Sequence, residues 1–218
     1  MKGLLIKDLR ILLTQKRFFL IIFGFGVMFL FSNDTPESAM GYVTILSSML
    51  VLTTMSYDEF EKGMSFIMAL PITKATYVWE KYLLGVILEV VMSIFTTLCA
   101  ILVFQIRGIL YPMDLFLHSE LLFIGISFLF LAVMIPVQLK FGSENGKYVK
   151  MVAIFVAAAV AVGVVKLLSI MGIDVMGVLE TLLNTSILLG FGVIMAFCVT
   201  LYLVSAVISL QIMKKKEF

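Results

Sequence analysis

The chain alternates between long apolar blocks and short polar stretches. An α-helix rises about 1.5 Å per residue, so about 20 apolar residues carry it across a hydrocarbon layer roughly 30 Å thick. Six blocks reach or approach that length and predict an all-α protein with six transmembrane helices: residues 18–32, 39–55, 82–106, 121–139, 149–171 and 187–213. The first is short and needs help from its flanks or a locally thinner bilayer, and the third is long enough to tilt. Pro136 falls near the end of the fourth, and Lys166 near one end of the fifth. Ahead of the first block, "MKGLLIKDLRILLTQKR" puts Leu5, Leu9, Leu12 and Leu13 on one side of a helix and Lys7, Arg10 and Thr14 elsewhere. That pattern fits a helix lying in the membrane interface, or a simple topogenic anchor. "FLFSND" lacks the small residues of a signal-peptidase site, so residues 18–32 are expected to remain as an uncleaved span.

Composition agrees with the pattern. The chain is 62% hydrophobic and 14% charged, with mean hydropathy +1.15, against roughly 45–50% apolar residues in a soluble domain. The placement of charge says more than its total of +2. Residues 1–17 hold five Lys or Arg, and residues 56–81, 140–150 and 214–216 hold three each, which makes fourteen on one side. The opposite side holds Arg107, with Lys166 at a span end from which it can snorkel outward. Positive charge marks the cytoplasmic face, so both termini are expected there. Nucleic acid is not an expected partner: beyond the terminal "KKKEF" no basic run is interleaved with aromatics. Cys99 and Cys198 both lie in apolar blocks without CxxC spacing, which suggests neither a disulfide nor a metal site.

The most polar interior stretch, residues 57–82, reads "YDEFEKGMSFIMALPITKATYVWEKY". Phe60, Met64, Ile67 and Met68 fall at helical spacing, with Asp58, Glu59, Glu61 and Lys62 on other sides. Pro71 biases the residue before it away from helix, so "ALPIT" should break the chain. Thr73 can then cap a new helix that runs into the third span. Such a mixture of apolar periodicity and a sharp turn exceeds what a solvated loop requires.

Glu89 lies seven residues beyond Tyr82, about 10 Å deep, where a charge costs on the order of 2.5–3.5 kcal/mol on insertion scales. Gly85, Glu89, Ser93, Thr96, Thr97 and Ala100 share a broad face, so this small and polar stripe should look inward. Glu89 is then either a hydrogen-bonded packing residue or, with Ser93, Thr96 and Thr97, part of a substrate path. Ala153, Ala157 and Ala161 in the fifth block, and Gly192, Ala196 and Thr200 in the sixth, allow close helix approach. They could form a dimer seam or the bundle interior. No GxxxxGK[ST] phosphate loop and no HExxH occurs, and the single histidine, His118, stands in an external connection beside Ser119 and Glu120. No catalytic residue and no metal ligand is expected.

An acidic cluster followed by Gly63, an apolar turn, "LPIT", and "YVWEKY" leading into a span resembles the cytoplasmic segment of ATP-binding cassette (ABC) exporter permeases of the type-2 family. The six-span plan, the amphipathic start and "GIDVMGVLETLLN", residues 172–184, with Ile173, Met176, Leu179 and Leu183 on one face, are similar to the same family. The resemblance covers essentially the whole chain and is closest to small permeases of Gram-positive bacteria, a group that includes exporters of amphipathic and antimicrobial peptides. It implies a single permease domain over residues 1–218 in the bacterial cytoplasmic membrane, with an interfacial helix at 1–17, a coupling segment at 56–81 and an external helix at 172–184. It also implies two copies of a separate ATPase carrying ATP and Mg, and a second permease as homodimer or heterodimer partner. The ATPase-coupling residues would be Asp58, Glu59, Phe60, Glu61, Lys62, Met64 and Pro71, with a snorkelling Lys81 setting the angle of the third span and residues 140–150 making a smaller contact. The competing reading is a proton-coupled secondary carrier using Glu89; no similarity between the two halves and no broken helix pair supports it. An intramembrane enzyme lacks a nucleophile, base or metal set.

Overall fold

The computed structural model describes residues 1–60, 63–142 and 187–216. Within them the chain is helical: α1 (Lys2–Thr14), α2 (Lys16–Ser32), α3 (Glu37–Glu59), α4 (Gly63–Ala69), α5 (Lys74–Arg107), α6 (Met113–Phe141) and α7 (Ile187–Lys215). Among the described residues four helices are long and apolar enough to cross a membrane, and the pair α1 and α2, bent by 68°, makes a fifth candidate. The fifth expected span, residues 149–171, the expected external helix, 172–184, and most of the stretch 140–150 lie outside the described residues, as do Glu61 and Lys62.

Two helices start well before their apolar blocks. α5 begins at Lys74 because Thr73, in extended conformation, accepts a hydrogen bond from the backbone N–H of Thr76 at 3.1 Å, the N-cap expected after the Pro71 turn. α6 begins at Met113 and continues through Pro136 to Phe141. Proline removes the N–H that would serve the carbonyl four residues back. That carbonyl, Ala132 O, instead accepts from Ser205 Oγ of α7 at 2.5 Å, which satisfies in protein a group that lipid could not.

α3 sits at the centre, packed on α2, α5 and α6, and α6 packs along α7. The joint between α5, α6 and α7 is aromatic and hydroxylated. Tyr82 Oη lies 2.7 and 2.9 Å from Ser205 and Ser209 Oγ, Tyr202 donates to Tyr82 O at 2.9 Å, and the Tyr202 ring stacks on Phe128. Gln138 of α6 donates to Leu52 O and Ser56 Oγ of α3, both at 3.0 Å. Side chains such as Ile94, Leu98 and Leu102 of α5 point outward, the inverse of a water-soluble surface and what a lipid-facing wall requires.

At the other end of the bundle from the lysine-rich helix termini, Arg107 closes α5 against the end of α2. Its guanidinium donates to Leu30 O at 2.8 Å and to Asn33 O, and pairs with Asp34 at 2.9 Å.

Candidate functional site

Leu4, Asp8 and Leu12 recur every four residues and form the buried face of α1. The expected face of Leu5, Leu9, Leu12 and Leu13 is rotated: Leu13 is 68% exposed and Asp8 wholly buried. The cause is Lys81 of α5. This lysine was expected to snorkel, but it is fully buried, bonded to the Asp8 carboxylate and 2.7 Å from Asp58 Oδ2. Pairing two internal charges outranks one more buried leucine, because an uncompensated charge in a low-dielectric interior is far costlier than an exposed methyl cluster.

Lys7 of α1 bonds Asp58 and lies 2.9 Å from Asp8 Oδ1, while Tyr77 Oη donates to Asp58 Oδ2 at 3.1 Å. Glu80 Oε2 stands 3.6 Å from Lys81 Nζ, and Thr54 Oγ1 lies 3.4 Å from the same nitrogen. Three carboxylates therefore surround two lysines where α1, α3 and α5 meet. Asp58 was expected on a docking face; the structure buries it in this cluster instead. Among the described residues no group of three or more His, Cys, Asp or Glu is placed to hold a metal ion.

Beyond Asp58 the chain turns. Gly63 is required there: a Cβ at that position would stand 2.8 Å from Asp58 O. α4 then lays Met64 and Ile67 into the core and leaves Phe66 outside. Met64, expected with the contact residues, faces inward. Glu59 is half-buried beside Gly142. Among the described residues the exposed side chains of the stretch are mostly apolar: Tyr57 and Phe60 precede Gly63, Phe66 is 70% exposed, and Leu70 and Pro71 follow.

In the interior, the polar stripe of α5 does look inward. Gly85, Glu89, Ser93, Thr96 and Ala100 are buried, and Thr97 is partly so. Ser47 and Ser48 of α3 donate to the two Glu89 oxygens at 2.9 and 2.8 Å. Ser93 and Thr96 turn back onto their own helix, donating to Val90 O and Met92 O. Glu120 was placed in an external connection by the sequence; it lies on α6 and is buried. The four-residue steps from Phe116 through Glu120 to Ile124 were the available signal. The Asp8–Lys81 bond was missed entirely, although Asp8 stands midway between Leu4 and Leu12 on one helical face.

A bundle of apolar helices, with its lysines and arginines gathered at its ends and in one internal cluster and a few buried polar side chains such as Glu89 between them, defines a multi-pass membrane protein without a catalytic constellation among the described residues. The family described as ABC-2 family transporter protein matches residues 3–214, and the chain belongs to it. The protein is thus a membrane permease of an ABC transporter, the transport component rather than the catalytic one. No curated protein and no solved structure matches it.

Proposed function

We propose that this permease is one half of the membrane part of an ATP-driven exporter, docked to a separate ATP-binding subunit through the stretch that follows α3. The family implies work with an ATP-binding subunit. The observation that carries the docking assignment is the exposure of Tyr57, Phe60, Phe66 and Leu70 along one short stretch, next to a turn whose other side is fixed by buried Met64 and Ile67. Aromatic anchors on a rigid foot are the kind of contact that carries interface energy. The acidic residues then serve two purposes. Asp58 holds the foot to α1 and α5, and Glu59 is half-buried beside Gly142; we propose that Glu61 and Lys62 add charge contacts to the ATPase.

Two permeases and two ATPases, with ATP and Mg on the latter, make up the proposed assembly, either as a homodimer or with a similar permease. We place both termini in the cytoplasm, a reading that the lysine-rich end of the bundle supports. Six spans is the count we propose, since α6 and α7 run in the same direction and one further crossing between them completes the path. The cargo is hydrophobic or amphipathic, peptides included.

Co-purification of the full chain from its host tests the docking site. Phe60→Glu together with Phe66→Glu changes two exposed side chains, so the permease should keep its thermal stability while a co-purifying ATPase is lost. Retention of the ATPase by that variant would remove these aromatic side chains from the interface.

A further inference from the structure

Between the lysine-rich ends of α6 and α7 lies a cleft of about 490 Å³, lined by Lys140, Ile208, Gln211, Ile212, Lys215 and Lys216. Its cations divide into two kinds. Lys216 Nζ donates to Leu139 O at 3.0 Å, and the neighbouring Lys74 Nζ donates to Lys216 O at 2.7 Å. These two neutralise the open carbonyls at the C-terminal ends of the helices, where cations belong. Lys140 and Lys215 have no such task. Both are exposed, Lys140 stands 5.3 Å from the Phe141 ring centroid, and neither is paired with a carboxylate among the described residues. Among the described residues no acidic side chain lines the cleft.

Away from the cations its wall is aliphatic, formed by Ile208 and Ile212. Ile208 is exposed and lies seven residues before Lys215, about 10 Å along α7 toward the hydrocarbon. The outward residues Val204, Leu201 and Phe197 continue that side of α7 farther from the lysines. Cations at headgroup level with an aliphatic wall beneath them match the two ends of a lipid, whereas a free anion would make no use of Ile208 and Ile212. We infer that this cleft binds one anionic phospholipid, its phosphate between Lys140 and Lys215, its ester region near Gln211 and an acyl chain along Ile212 and Ile208. Basic pockets between transmembrane helices are a recognised setting for such headgroups.

Native mass spectrometry of the full-length chain from mixed micelles of phosphatidylcholine and phosphatidylglycerol tests this. One phosphatidylglycerol should stay bound per chain and phosphatidylcholine should not. Each lysine near an anionic surface contributes about a fivefold factor, so Lys140→Gln with Lys215→Gln should weaken retention about thirtyfold, while Lys140→Arg with Lys215→Arg should keep it. Lys2→Gln with Lys16→Gln removes the same charge from exposed positions outside the cleft; an equal loss there would reduce the effect to diffuse surface charge and overturn the site. The proposal also falls if glycerol 3-phosphate displaces the lipid at equal concentration, which would mark a soluble-anion site, or if wild type holds no phosphatidylglycerol.

Discussion

Replacing Lys81 by methionine removes one of two cations from a cluster with three carboxylates. Lys81 is fully buried, in contact with Asp8 and Asp58 and close to Glu80, while the remaining cation, Lys7, has a side chain 32% exposed. Lys7 then stands alone against three carboxylates, an excess of two negative charges, and Glu80 loses the cation it faces. Breaking a buried ion pair from one side costs about 3–5 kcal/mol, or more than about 100-fold in the folding equilibrium at 1.4 kcal/mol per decade. Lys7→Met, at the solvent-screened edge of the same cluster, should cost only about 1 kcal/mol. The comparison can be read by unfolding in mixed dodecyl maltoside and dodecyl sulfate micelles, with circular dichroism for the whole chain and Trp79, its single tryptophan, as a reporter two residues from Lys81. Adding Asp8→Asn to Lys81→Met should recover about 1–3 kcal/mol, since the two residues are in direct contact. If Lys81→Met costs no more than Lys7→Met, the cluster is not an internal ion network and the explanation given for the rotation of α1 fails.

At Gly85 a Cβ would stand 2.6 Å from Tyr202 Oη and 3.0 Å from Leu131 Cδ1, so Gly85→Ala should destabilise by about 1–3 kcal/mol. Tyr202→Phe in the same chain should return part of that loss in the same unfolding assay, because it removes the nearest atom. Glu89→Gln keeps one carbonyl acceptor, and the displaced serine hydroxyl can fall back on Thr44 O, which Ser47 and Ser48 already reach at 2.7 and 3.1 Å. ATP-dependent transport in vesicles should persist in that variant and remain indifferent to collapse of the proton gradient. Abolished transport with an intact fold would favour the proton-carrier reading instead.

The helices were legible because apolar block length and Thr73 are local signals, and the inward stripe from Gly85 to Ala100 was legible because it repeats at helical spacing within one block. The cluster was not. Asp8, Asp58 and Lys81 are separated by tens of residues, and each taken alone reads as a solvent-facing charge at the end of an apolar run. Only the packing of α1 across α3 and α5 turns three separate end charges into one internal group. The same blindness put Asp58 and Met64 on the expected docking face, though both are buried, and passed over the exposed Phe66. Residue type suggested that charges face outward and aromatics inward, whereas here Asp58 is buried and Phe60 and Phe66 are exposed.

Helix α5 is fastened at two places to the same bent unit. Lys81 ties it to α1 through Asp8, and Arg107, 26 residues on and so about 39 Å away, ties it to the end of α2 through Leu30, Asn33 and Asp34. With α1 and α2 bent by 68° at Gln15, α5 braces both arms of the bend through its long Lys81 and Arg107 side chains. The angle at Gln15 is therefore not a free hinge: it can open or close only if one of the two fastenings lets go, and the chemistry of that release is ionic at one and carbonyl capping at the other.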